Sequence, residues 1–210
     1  KKRDNADQGP NTGGMGACSP APALNDDLQS KIEQTIIQPT LNKMHELGTP
    51  YHGFLYCGII LDQNNQPYVL EYNCRLGDPE TQPLMLRLQS DLASTLYENR
   101  NGHWNQPCLK WDPRPALGVV LANQGYPSDS ASGQAISGLE QAKSDLSQVF
   151  QAGTHKQGTN TIASGGRVLC VTALGDNIKH AQQNAYAMVQ KISWPAMFYR
   201  SDIGYHAISD

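Results

Sequence analysis

The stretch YVLEYNCRLGDPE, residues 68–80, constrains the chain more than any other, because its residue types alternate as they do in a strand with one wet face. Alternate residues of a strand share a face, so Val69, Glu71, Asn73 and Arg75 are predicted on one side and Tyr68, Leu70, Tyr72 and Cys74 on the other. A carboxylate, an amide oxygen and a guanidinium then stand in a row, with neighbours roughly 6.6 Å apart along the strand. Glu71 and Asn73 can reach one hard cation, and Arg75 a phosphate beside it, which is the layout of a magnesium-nucleotide site. An ordinary amphipathic edge strand explains the same alternation.

Around this strand the chain reads as a soluble globular protein with 39% hydrophobic and 17% charged residues. A formal net charge of -3 gives no electrostatic reason to expect nucleic acid or an anionic membrane as partner. No apolar run approaches the ~20 residues that span a bilayer, and the N-terminus lacks the apolar region of a signal peptide, so a cytoplasmic location is expected. Cys18, Cys57, Cys74, Cys108 and Cys170 form no C-x-x-C pair and fit reduced thiols, and the six histidines lack metal-ligand spacing. The chain starts at Lys1 without a methionine, so a piece of something longer is expected.

Residues 1–23 are dense in Gly, Pro, Asn and Asp and predict a loop. Asn25 or Asp26 then caps a helix through Leu28, Ile32, Ile36, Leu41 and Met44, with a kink at Pro39 and a stop at Gly48. A hairpin follows, with strands from Phe54 to Leu61 and from Tyr68, and Asn64-Asn65 at its tip. Asp78-Pro79-Glu80 reads as a helix start, continued by Leu84, Leu88, Leu92 and Leu96. The polar stretch from Asn99 to Pro115 is the expected boundary. Beyond it, strands are predicted over 116–122, 149–152 and 167–174. An amphipathic helix through Ile178, Ala181, Ala185, Met188 and Ile192 closes the chain.

Two further motifs carry chemistry. GPNTGGMG, Gly9 to Gly16, lets the backbone approach a ligand closely and turn N–H groups toward an anion, although a flexible turn would have the same composition. It is neither a P-loop nor a dinucleotide fingerprint. Gly165-Gly166-Arg167, at the entrance of a strand, offers backbone donors and a bidentate guanidinium suited to a phosphate monoester, or else a hairpin turn with a solvated arginine. Asp78 and Glu80 fit a catalytic role and helix capping equally.

Taken together, KKRDNADQGPNTGGMGACSPAP, GFLYCGIILD, VLEYNCRLGDPETQP, LGVVLA followed by GYP, and GTHKQGTNTIASGGRVLCVTALG resemble the phosphoribosylamine-glycine ligase family over essentially the whole chain. The resemblance implies an α+β fold. Residues 1–110 would form the C-terminal half of an ATP-grasp core, an antiparallel sheet with helices, and residues 111–210 a small α/β C-terminal domain. It implies that ATP phosphorylates glycine to glycyl phosphate, which phosphoribosylamine attacks to give an amide, ADP and phosphate in purine biosynthesis. Glu71 and Asn73 match the family's ligands for Mg2+ or Mn2+, and Arg75 with Asp78 the catalytic positions. Lys1, Asn11, Thr12, Gly13, Gly14, Gly16, Thr154, Gly165, Gly166 and Arg167 are implied to bind substrate or phosphate. Cys18 stands where the family commonly has tyrosine. The acidic metal ligand that many ATP-grasp enzymes carry near Gly58 or Ile59 is missing, as are the family's N-terminal lobes, so a fragment inactive alone is implied. Another ATP-grasp carboxylate-amine ligase and a non-catalytic phosphate-binding module are the alternatives.

Overall fold

The computed structural model describes residues 1–100 and 109–208. Three short strands open the chain: β1 (Lys2–Asp4), β2 (Gln8–Asn11) and β3 (Gly16–Ser19). A helical arm follows as α1 (Asp26–Ile32), one π-helical turn (Glu33–Ile37) and α2 (Gln38–Glu46), then the hairpin β4 (Tyr56–Leu61) and β5 (Pro67–Asn73). Helices α3 (Thr81–Arg87) and α4 (Leu92–Glu98) lead to β6 (Ala116–Asn123), β7 (Gln134–Ala135), β8 (Ser147–Gln151), β9 (Thr154–Gln157), β10 (Asn160–Ala163) and β11 (Arg167–Leu174). The last elements are α5 (Ile178–Val189), β12 (Met197–Phe198) and α6 (Tyr205–Ile208). Among the described residues no helix is long and apolar enough to cross a membrane.

Packing divides the chain differently from a contiguous cut at residue 110. One compact unit combines residues 1–20, 78–96 and 109–208, and the other holds 21–77 with 97–100. Cys108 and residues 101–108, at the centre of the expected boundary, lie outside the described residues.

The first unit is built on an antiparallel sheet in the order β12-β6-β11-β8, with β3 also on β6. β6 is buried along its whole length because both its edges are taken. β11 pairs along one edge, Cys170 opposite Val120, while β3 covers Ala116 to Val119 and β12 covers Ala122 and Asn123 on the other. Leu117, Val119, Leu121, Leu169 and Val171 are fully enclosed, each worth about 1.5–3 kcal/mol of burial. Helix α5 packs on β6 and β11 as its periodicity predicts, burying Ala181, Ala185 and Val189, with the Asn177 side chain accepting the His180 N–H.

Residues 1–23 are not simply a loop. β1 and β2 pair, and β3 joins the main sheet. Four residues next to a glycine run carry no strand signal of their own; β3 takes its conformation from the buried strand it pairs with. The leucine series of the expected helix is also broken. α3 ends at Arg87, Leu88 is extended and pairs with Trp111, and Asp91 restarts the helix by accepting the Ser94 N–H at 2.9 Å.

In the second unit the π-helical turn precedes Pro39, which has no N–H to give to Thr35. Widening the turn sends the Gln38 N–H to Glu33, which makes room for the ring. The hairpin turn forms as expected: Asp62 Oδ1 accepts the N–H groups of Asn64 and Gln66 at 2.8 Å, and Asn65 adopts φ +56°. The strand, however, is not regular. Ile59 lies opposite Val69 while Gly58 lies opposite Glu71, so Leu70 is an extra, bulged residue. The bulge puts Val69 and Glu71 on opposite faces, whereas Glu71 and Asn73, opposite Gly58 and Tyr56, stay together. β5 ends at Asn73, so Arg75 stands beyond the strand rather than in its row.

Candidate active site

The candidate side chains gather in two places, one in each unit. In the first unit, the glycine loop between β2 and β3, the segment leading into α3 and the entrance to β11 converge on Arg167. Its Nη2 meets Asp78 Oδ2 at 2.5 Å, and its Nη1 donates to the Gly14 carbonyl at 3.3 Å. At Gly13 the backbone lies against the guanidinium: a Cβ there would stand 2.9 Å from Arg167 Nη2 and would push the guanidinium aside. At Gly14, φ is +122° and a Cβ would stand 2.5 Å from Pro79. Gly14 is thus required by its backbone conformation and by Pro79, and Gly13 leaves the guanidinium where it stands.

The loop is folded around its own residues. Thr12 donates through both its backbone N–H and its hydroxyl to the Lys1 carbonyl, and its hydroxyl accepts the Gly14 N–H at 3.1 Å. Lys1 Nζ binds Glu80 at 2.6 Å. Asp78 and Glu80, open between capping and function, therefore do not cap α3: no side-chain cap is made, and their carboxylates go to Arg167 and Lys1. Beside them opens a cavity of about 260 Å³ whose lining includes Asp78, Gln82, Ala152, Arg167 and Cys170. Burial pushes the Cys170 thiol up to about 12, so it remains neutral and is no nucleophile at ordinary pH.

Not every expected residue joins this cradle. Gly16 belongs to β3 and is packed against the Gly118 carbonyl and Ile203, so its glycine is a packing requirement. Asn11 is exposed at the end of β2, opposite Lys2. Thr154 starts β9 and donates to Gln151 Oε1 at 2.9 Å. Its neighbour Gly153 interlocks with Gly165 and Arg167: its N–H goes to the Arg167 carbonyl at 3.0 Å and its carbonyl takes the Gly165 N–H at 3.2 Å. Two residues that sequence reasoning passed over stand at the centre of the arrangement. Tyr126 Oη accepts the Gly13 N–H at 3.0 Å, and buried Asn123 grips the Gly165-Gly166 turn. The only sequence signal was the Gly-Tyr-Pro turn, which does not say where its side chains point.

In the second unit, Glu71 and Asn73 present a carboxylate and an amide oxygen side by side on an exposed face. Gly58 makes room for this: a Cβ there would stand 3.1 Å from Glu71 Cγ. Arg75 lies next to Asn73, with Nη2 3.4 Å from Asn73 Oδ1 and Nη1 donating to the Leu76 carbonyl at 2.9 Å. One carboxylate with one amide oxygen fits a hard divalent cation that takes its remaining ligands from water and phosphate. Among the described residues no group of three His, Cys, Asp or Glu side chains could hold a metal.

Two family models match the chain. The ATP-grasp (A) domain model of phosphoribosylglycinamide synthetase matches residues 1–81, and the C domain model of the same synthetase matches residues 116–206. The chain belongs to the phosphoribosylglycinamide synthetase family. Phosphoribosylamine--glycine ligases of Vibrio cholerae and Allochromatium vinosum are 51% and 50% identical over 209 residues, covering 100% of this chain and 49% of each relative. The chain thus spans about half the length of the curated relatives it matches. A crystal structure of the Thermotoga maritima phosphoribosylamine--glycine ligase superposes with a TM-score of 0.83 at 33% identity, over 97% of this chain and 49% of that one. The biotin carboxylase subunit of pyruvate carboxylase, at 13% identity and a TM-score of 0.64, covers 94% of this chain and 42% of its own, and shares the fold alone. The α+β, ATP-grasp reading of the sequence is borne out.

Proposed function

We propose that this chain carries part of the active site of an ATP-dependent ligase that joins glycine to 5-phosphoribosylamine in purine biosynthesis. The observation that carries the reading is the convergence of the Gly13-Gly14 backbone and Asp78 on Arg167, which projects from the Gly165-Gly166-Arg167 turn beside the cavity. The glycine carboxylate attacks the γ-phosphorus of ATP, ADP leaves, and the amine of phosphoribosylamine adds to the carbonyl of glycyl phosphate. The tetrahedral adduct expels phosphate and loses a proton to give the amide. Glu71 and Asn73 would hold Mg2+ or Mn2+, which when bound would supply charge neutralisation to the transferred phosphoryl group. Arg75 lends a fixed positive charge to the same oxygens.

Arg167 takes the 5-phosphate of phosphoribosylamine, in competition with the Asp78 carboxylate that occupies the guanidinium in the free chain. Asp78, once released, is available to accept the amine proton. Lys1, Thr12 and Glu80 keep the loop beside α3 in place for this exchange. A cytoplasmic setting fits the free cysteines 18, 57, 74 and 170.

The test is Arg167→Ala in a protein that carries this chain within the full length of its relatives. Loss of a charge-assisted bidentate contact, roughly 1.5–3 kcal/mol, raises KM for phosphoribosylamine about ten- to hundredfold and leaves those for glycine and ATP nearly unchanged. A fall in ATP affinity with KM for phosphoribosylamine held would move the phosphate site elsewhere.

A further inference from the structure

The turn that follows β6 does more than reverse the chain. Asn123 is fully buried, a costly place for an amide unless all its polar atoms are used. Its backbone N–H donates to the Gly166 carbonyl at 2.8 Å and its Nδ2 to the Gly165 carbonyl at 2.8 Å. Its Oδ1 accepts Trp194 Nε1–H at 2.6 Å. Three residues on, Tyr126 lays its ring against Gly166, where a Cβ would stand 2.5 Å from Cδ2, and its hydroxyl accepts the Gly13 N–H at 3.0 Å. One turn thus grips both arms of the cradle, which lie more than a hundred residues apart in sequence.

We infer that Asn123 and Tyr126 are positioning residues that hold the glycine loop and the Gly165-Gly166-Arg167 turn at one fixed separation, matched to a single phosphate monoester. This rests on the phosphate site proposed above. Neither residue needs to touch the reacting atoms. Asn123 sets the turn from which Arg167 projects, and Tyr126 sets the loop whose Gly14 carbonyl holds the guanidinium. Trp194, itself buried, fixes the amide of Asn123 in the one orientation that keeps Nδ2 toward Gly165.

The experiment is an NMR titration of the 210-residue chain with ribose 5-phosphate, and with ribose as its unphosphorylated control. The unaltered chain is expected to prefer the phosphate ester. Tyr126→Phe keeps the ring against Gly166, so the unfolding midpoint holds, but affinity for ribose 5-phosphate falls at least fivefold and exchange of the Gly13 amide accelerates. Trp194→Phe, which changes no residue of the cradle, weakens the same ligand by acting through Asn123. If Tyr126→Phe binds ribose 5-phosphate as tightly as the unaltered chain, the positioning role is overturned while the phosphate site stands. If the unaltered chain does not distinguish ribose 5-phosphate from ribose, the phosphate reading fails and the inference falls with it.

Discussion

The sheet around β6 and β11 and the hairpin β4–β5 hold their polar groups in opposite ways. In the sheet unit, Arg167 is fixed by Asp78 and Gly14, and the turns around it are tied to a buried asparagine and a buried tryptophan. The hairpin instead leaves Glu71 exposed, beside Ile60, Tyr68 and Leu70, which are 50%, 57% and 67% exposed. The first arrangement is organised before any ligand arrives. The second, on the function proposed above, would supply two metal ligands and rely on phosphate oxygens and water to complete a shell. Substitutions in the hairpin should therefore change chemistry without changing the fold, and substitutions in the ion network around Arg200, which belongs to the sheet unit, should do the reverse.

Glu71→Gln is the strongest attempt to break that contrast. In a protein of the relatives' full length, turnover should fall by at least about 100-fold, because a metal that neutralises phosphoryl charge contributes several kcal/mol at the transition state. The unfolding free energy of the chain should move by less than about 0.5 kcal/mol, the usual range for an exposed position. Near-normal turnover at limiting magnesium would remove Glu71 from the metal site. A large loss of stability would instead make the hairpin a structural element like the sheet.

Arg200 is the converse case. It is buried and binds Asp7 Oδ1 and Asp202 Oδ1, both at 2.8 Å, and thereby fixes the segment between β1 and β2 to the segment before α6. Arg200→Ala leaves two carboxylates without their shared cation and should cost about 2 kcal/mol, less than a fully buried pair because Asp7 is partly solvated. Denaturant unfolding measures this directly, and an unchanged midpoint would show that the ion network is decoration.

Acid should separate the two regions in the same way. His206, Arg200 and Tyr205 hold the Asp7 carboxyl far below the usual carboxylate range. Burial pushes Asp202 up, but its hydrogen bonds from Arg200 bring it below its ordinary value, and Arg114 holds Asp112 at about 2. Each group is depressed in the folded chain, so its contribution is fully present above the unfolded value of about 3.9 and is lost as pH falls toward 2 and below. All three lie in the sheet unit. Amide exchange followed from pH 5 to pH 2 should lose protection there, with a shallower acid dependence in Arg200→Ala. Uniform loss across sheet and hairpin would contradict the assignment.

Much of this was legible in the sequence where a local signal decides the local structure. The strand at 167–174, the Asp62 turn and α5 all follow from periodicity and capping. Legibility ended where one segment borrows its conformation from another. β3 exists because β6 offers an edge, the Leu70 bulge exists only in the pairing with β4, and Pro39 is absorbed by a π-helical turn rather than a simple kink. The candidate site followed the same rule. GPNTGG and GGR are compatible by composition with anion chemistry and equally with plain turns, and the pairing of Asp78 with Arg167 spans 89 residues and that of Gly13 with Tyr126 spans 113, distances over which no local pattern operates.

The smallest effect tests whether the loop ahead of the cradle is held against local strain. Ala6 and Asp7 adopt φ of +53° and +54°, a left-handed conformation that L-residues with a Cβ occupy at some cost. The Ala6 N–H is nonetheless held by Asp202 Oδ2 at 2.6 Å, and Asn5 exchanges hydrogen bonds with Ser201, its Nδ2 donating to the Ser201 hydroxyl at 2.7 Å and its Oδ1 accepting the Ser201 N–H at 3.0 Å. These contacts, with Arg200, fix the turn that leads into the glycine loop. Ala6→Gly removes the steric cost and leaves every one of these bonds in place, since each is made by the backbone or by another residue. Stability should rise by about 1 kcal/mol, reduced by the extra freedom of glycine in the unfolded chain. Affinity for ribose 5-phosphate should not change, because the strain lies upstream of the residues that shape the cradle. A gain in stability with unchanged affinity keeps fold and cradle separable within the sheet unit. A loss of affinity would mean that the left-handed turn itself sets the position of Gly13, and would extend the brace from the β6 turn to the start of the chain.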